Sequence, residues 1–444
     1  MWKLIKGRKW LVMVLVVAVV GAACGGGAVA TSSSGATATP EPPADTPTPV
    51  PGSITSPSPT PIPDRTTEPQ PTPGAQAEPS FTPGPEPDFD PRTRFADPFR
   101  RYQWTTDFSK HSVDYNDIIS GGVPRDGIPP IDDPQFVPVD PSPFWIADQE
   151  PVISFEINGD ARAYPLQIMT WHEIANDEVG GVPVIVTFCP LCNTALVFER
   201  TLNGTVHDFG TSGMLRFSDL VMYDRQTETW WQQIGGEGIA GELTGVRLTQ
   251  IAASIVSWQD FKAGFPNGKV LSRETGFNRD YGRNPYTGYD SIDSSPFLFV
   301  GPEDDRLRPM ERVATVELNG EAAAYPFLML EDHPVVNDTV GGTPIVVFFS
   351  LGTTSALDNS LIASSRDIGA TGVYHRVLDG RELTFVADGD GFVDNETGTR
   401  WNILGQAVEG SMVGKTLEPV VHANHFWFAW GVFKPETRIW RPSG

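Results

Sequence analysis

Two cysteines separated by two residues, in the run Phe188-Cys189-Pro190-Leu191-Cys192-Asn193, are the residues of this chain best suited to chemistry. Thiols at that spacing can chelate a soft metal ion from one tight turn, or close a small disulfide. His172 stands one strand upstream and offers a nitrogen, and Met222 (with Met214) offers a thioether. A donor set of Cys189, Cys192, His172 and Met222 favours copper before zinc. Without a metal, the same pair supports thiol–disulfide exchange with an envelope redox partner. A third reading makes it a local staple in a non-enzymatic binding module. The spacing is half of a strong metal signal, because no second cysteine pair and no His-x₃-His pair completes it.

Other candidates carry less chemistry. Asp219, Asp224 and Arg225 form a carboxylate–guanidinium group, with Asp224 read as a turn former. His425 falls in an aromatic run, His425-Phe426-Trp427-Phe428-Ala429-Trp430, where packing is expected, and His207 follows an Asn-Gly turn and is expected to be exposed. Tyr281 to Tyr289 reads as a linker loop or the lip of a ligand pocket. A phosphate-binding glycine loop, a Gly-x-Ser-x-Gly elbow and a His-Glu-x-x-His helix are all missing from the sequence.

The elements that must position the thiols are strands. Pro183–Phe188 and Thr194–Glu199 flank the pair as apolar, β-branched runs. Upstream, Asn158-Gly159 separates Val152–Ile157 from Ala161–Leu166, the signature of a type I′ hairpin. A short helix is predicted over Gln167–Ala175 and another over Ser257–Gly264. Further strands are expected at Val206–Gly210, Asp219–Tyr223, Trp230–Gln233 and Arg247–Ile251. The fold class is therefore mainly β, or α+β.

The chain also repeats itself. Glu156-Ile157-Asn158-Gly159 matches Glu317-Leu318-Asn319-Gly320, and Asn176-Asp177-Glu178-Val179-Gly180-Gly181 matches Asn337-Asp338-Thr339-Val340-Gly341-Gly342 at the same spacing. Asp224 to Trp231 matches Asp394 to Trp401. A period this long implies an internal duplication giving two tandem homologous domains. At that spacing His172 aligns with His333, while Cys189 and Cys192 align with Ser350 and Thr353, so the thiols belong to the first copy alone. The expected organisation is a signal peptide over 1–23, lipidated Cys24 and a disordered stalk over 24–94, a first repeat over 95–275, a connector over 276–310 and a second repeat over 311–444.

The N-terminal expectation rests on a basic head (Lys3, Lys6, Arg8, Lys9), an apolar run from Trp10 to Val20, and Gly21-Ala22-Ala23-Cys24, which resembles the lipobox of exported lipoproteins. Such a protein is held by an N-terminal lipid on the outer face of the membrane. The Thr/Pro/Ser-rich segment that follows has too few large apolar residues to build a core. A net charge of −23 argues against nucleic acid and against anionic lipid surfaces.

Thr170-Trp171-His172-Glu173-Ile174, the Cys-Pro-Leu-Cys run, Ser218-Asp219-Leu220-Val221-Met222-Tyr223-Asp224-Arg225 and the His425–Trp430 run together resemble the bacterial domain-of-unknown-function family 3179. The resemblance extends roughly from Asp126 to Trp440. That family carries no established activity, so the resemblance implies kinship and no reaction.

Overall fold

In the computed structural model, residues 81–96 and 103–442 are described. The proposed signal segment, Cys24 and most of the stalk lie outside them. All described residues belong to one compact unit, residues 75–444. Ordered packing starts before Phe95: Phe89 meets Phe95 edge-on, and the Gly84 N–H donates to the His111 carbonyl. No helix among the described residues is long and apolar enough to cross a membrane.

The fold is mainly β with a few short helices. In the first half, β1 (Pro151–Ile157) and β2 (Asp160–Pro165) form the expected hairpin, with Asn158 at φ 51° and Gly159 at φ 81°. Then come α1 (Leu166–His172), β3 (Ile174–Val179), β4 (Val182–Cys189) and β5 (Thr194–Glu199). The hairpin of β6 (Phe209–Arg216) and β7 (Asp219–Asp224) follows, then β8 (Trp230–Gln232), β9 (Ser254–Ser257) and α2 (Trp258–Gly264). Strands β3, β4 and β5 are antiparallel neighbours in one sheet, and β6, β7 and β8 in another. From Val184 to Cys189 every residue of β4 is buried, which explains its unbroken apolar run where a half-exposed strand would alternate.

The second half repeats part of this order: β10 (Arg312–Leu318), β11 (Glu321–Pro326), α3 (Phe327–Leu330), β12 (Val335–Val340), β13 (Thr343–Ser350) and β14 (Ala370–His375). Near the end, β15 (His422–Phe426) pairs with β10 and leads into α4 (Trp427–Gly431). Individual contacts recur between the halves. Asn158 Nδ2 donates to Gly180 O and Asn319 Nδ2 to Gly341 O, both at 2.9 Å. Tyr164 bonds Asp177 as Tyr325 bonds Asp338. Trp231 Nε1 donates to Asp224 as Trp401 Nε1 does to Asp394, so Asp224 has the turn-stabilising role expected of it.

Around the cysteines the halves part company. Cys189 pairs with Thr194 across a tight turn, whereas Ser350 pairs with Ala370 across an excursion of residues 351–369. The expectation that the second copy keeps the strand–turn–strand frame, with Thr353 standing for Cys192, is therefore corrected. The later hairpin also differs: β6 and β7 are longer than their counterparts Phe385–Asp388 and Gly391–Asp394, whose registers end in a short turn. Ser218 and Asp219 sit at the end of that extra length.

The two halves share cores. One cluster packs Phe188, Cys189, Cys192 and Trp231 against Leu357, Phe426 and Phe428. Another packs Val152, Trp258 and Phe261 against Phe348, Tyr374 and Trp401. Each such side chain fully buried contributes roughly 1.5–3 kcal/mol, so these mixed clusters are a large share of what holds the halves together.

Candidate functional site

The thiols are placed by the β4–β5 turn. The Cys192 N–H donates to Cys189 O and the Asn193 N–H to Pro190 O, each at 3.2 Å, and Asn193 takes the left-handed conformation (φ 54°) that asparagine tolerates. The two Sγ atoms come within 3.1 Å, outside the roughly 2.05 Å of a disulfide bond, and both cysteines are free.

The third member is Asp219. Phe217 and Ser218 both adopt positive φ (53° and 69°), an uncommon conformation for non-glycine residues that brings the start of β7 under the thiols. Asp219 Oδ1 lies 3.4 Å from Cys192 Sγ, and the Ser218 carbonyl lies 3.5 Å from the same sulfur. Asp219 Oδ2 accepts from Gln232 Nε2 at 2.5 Å and from the Ile234 N–H at 3.0 Å. One donor atom from each of Cys189, Cys192 and Asp219 falls within 4.8 Å of the others. Their exposures are 2 %, 0 % and 0 %.

Burial governs their protonation. It pushes the Asp219 carboxyl up to about 6 and raises both thiols, Cys192 well above its ordinary value. Glu173, which follows α1, is a further buried acid pushed up to about 8, first by burial and then by the Asp219 charge. Among the described residues, no arginine, lysine or histidine bonds to Asp219, Glu173 or either sulfur. Four acidic groups are thus buried together with no bonded cation; Arg216, paired with Asp219 across the β6–β7 hairpin, feels its charge without bonding it.

A segment without regular secondary structure, residues 281–299, straps across the site. Tyr286 Oη donates to Glu173 Oε1 at 3.5 Å, Tyr289 Oη donates to Leu191 O at 3.0 Å, and Ser218 Oγ donates to Phe297 O. The strap is pinned by Asp290, fully buried and paired with Arg312 at 2.5 Å and Arg366 at 2.8 Å. The second half reaches in as well: Thr194 Oγ1 meets His425 Nδ1 at 2.7 Å, and the Phe426 N–H donates to Cys192 O at 2.9 Å. His425, expected only to pack, thereby props the cysteine turn. Burial drives its imidazole down to about 3.

The structure brings Cys189 and Cys192 together and engages His172 elsewhere. His172 has both ring nitrogens engaged, Nδ1 with Pro129 O at 2.7 Å and Nε2 with Tyr281 Oη at 2.5 Å. Met222, three residues from Asp219 on β7, packs in the same apolar cluster as the two cysteines. Met214 packs in an aromatic cluster with Phe95 and Trp230. His207 is buried on Asp224 at 3.1 Å, not exposed as expected, because the turn bearing it folds back onto β7. Asp219 and Glu173 were not expected as partners of the thiols. The available signal was a charge inside an otherwise apolar strand, Leu220-Val221-Met222-Tyr223, and a second one directly after a helix.

Comparison with curated proteins and with solved structures finds no match. Residues 125–437 match the family described as "Protein of unknown function (DUF3179)", and over that span, most of its length, the chain belongs to this family.

Proposed function

We propose that the first half of the chain holds a buried divalent cation, zinc before copper, through the Cys189 and Cys192 thiolates and the Asp219 carboxylate. The observation that carries this reading is the convergence of three acidic donors within 4.8 Å, all buried, with no bonded positive side chain. Buried acids without a bonded counter-charge are costly, and an ion that converts them to ligands removes the cost. A thioether or imidazole in third place would favour Cu(I); a carboxylate there favours the harder Zn(II). Three protein ligands leave one position for a fourth donor.

The test is metal content. Purified full-length protein should carry close to one equivalent of zinc by elemental analysis, and a Cys189→Ser/Cys192→Ser variant should carry none. Equal metal in both would overturn the reading.

A second reading, thiol–disulfide exchange, draws on the 3.1 Å approach of the sulfurs and on Asp219 as a proton acceptor beside Cys192. Metal-free protein with a readily reducible Cys189–Cys192 bond would favour it. The recurring contacts further support descent of the two halves from one duplicated unit, of which only the first kept or acquired the site. The basic head, apolar run and Cys24 support export and lipid anchoring, which would set the site outside the cytoplasm.

A further inference from the structure

We infer that Glu173 is the fourth donor of this site: its carboxylate leaves Tyr286 and closes the coordination of an ion held by Cys189, Cys192 and Asp219. This rests on the metal reading above and adds to it a residue outside the three-donor group.

Three observations converge on Glu173. Its backbone is in the left-handed region (φ 59°) at the C-terminal cap of α1, a place that favours glycine. A glutamate kept there against about 1–3 kcal/mol of strain needs a reason, and such strain concentrates at functional sites. Its carbonyl accepts from the Phe188 N–H at 2.8 Å, which locks it beside the strand that ends in Cys189. Its side chain, 7 % exposed, makes one hydrogen bond among the described residues, to Tyr286 Oη at a long 3.5 Å. A carboxyl so loosely held in a dry site is free to change partners at small cost.

The second half is an internal comparison. There the carbonyl that accepts from the Phe349 N–H, as Glu173 does from Phe188, belongs to Pro334. Ser350 takes the place of Cys189, the tight cysteine turn is replaced, and the hairpin that delivers Asp219 is shortened. The second carboxylate is lost together with the three donors, as expected of a group that works with them.

Charge balance allows the fourth ligand. Two thiolates and two carboxylates around Zn(II) give the same formal charge as a Cys₄ zinc site. In this arrangement Tyr286 holds the carboxylate while the site is empty and gives it up on loading.

Cobalt(II) titration of the purified full chain tests the assignment, read by ligand-field bands and by thiolate-to-cobalt charge transfer. Glu173→Gln should keep the charge-transfer band, alter the ligand-field bands and bind at least about tenfold more weakly, the scale on which even outer-sphere partners are felt. Tyr286→Phe, which removes the competing hydrogen bond, should keep the wild-type bands and bind as tightly or more tightly. A Glu173→Gln chain with wild-type affinity and bands overturns the assignment. If that variant does not fold, weakened binding in Tyr286→Phe overturns it. Absence of thiolate charge transfer in the wild-type chain sinks the metal reading itself, a different failure from either variant result.

Discussion

Asp219 divides its two oxygens between tasks: Oδ1 faces Cys192 Sγ at 3.4 Å, while Oδ2 is held by Gln232 and the Ile234 N–H. Structure and ligation can therefore be separated at this residue. Asp219→Ala leaves two buried donors without an acceptor and should cost about 1–3 kcal/mol for each group stranded. Asp219→Asn keeps an acceptor for them and should cost less, yet it removes the carboxylate proposed as a ligand. We expect urea unfolding to rank the variants wild type, Asn, Ala, with metal binding reduced in both.

The metal-free protein should lose stability as pH rises from 6.5 to 8 and change little between 5 and 6.5. Glu173 has its folded value near 8 against 4.5, and Asp219 near 6 against 3.8. Each keeps a proton that the unfolded chain has released, so stability falls as pH rises through those windows. His172 and His425 have the opposite sign, at about 4 and about 3 against 6.5. The unfolded chain binds their protons first, which works against stability below pH 6.5 and there largely offsets the gain from the two carboxyls. Thermal melts in chelator at pH 5, 6.5 and 8 should show little change between 5 and 6.5 and a loss from 6.5 to 8. Glu173→Gln should flatten that loss and uncover a fall on the acid side.

Both thiols should resist modification in the native state. They are buried, and burial raises their pKa, so little thiolate is present at neutral pH. With a disulfide reagent, chelated protein should react slowly, and both cysteines should react at once in denaturant. Tyr289→Ala removes the strap's bond to Leu191 and should speed the native reaction without changing the total titre.

Removing one member of the Arg312–Asp290 pair should cost more than removing both. Arg312→Met leaves Asp290 buried with Arg366 as its remaining cation and Ser355 as a hydroxyl donor, and should cost about 3 kcal/mol, the low end for a broken buried pair. Arg312→Met/Asp290→Leu should recover much of that. Denaturant midpoints of the single and double variants measure the coupling.

Local features were legible in the sequence wherever one segment carries the whole signal. The Asn158-Gly159 hairpin, the strand–turn–strand around the cysteines and the short helix at Trp258 all follow from neighbours a few residues apart. Asp219 and Glu173 join the thiols only through tertiary structure: one across a hairpin of another sheet, the other through a carbonyl bonded to Phe188. The partners of His172 could not be read either, because Pro129 and Tyr281 lie on loops far from it in the chain. The expected match of Cys192 with Thr353 fails because Ser350 pairs with Ala370, across an excursion of residues 351–369 that an ungapped comparison hides.

The Phe426 N–H that caps the Cys192 carbonyl has a consequence for the order of assembly. The cysteine turn is synthesised before β15, the strand that covers it, which follows it by more than two hundred residues. A nascent chain therefore carries the turn without this cover until β15 has been made. A chain cut short before residue 420 keeps both cysteines and lacks β15, so a distant strand becomes a condition for protecting the sulfurs.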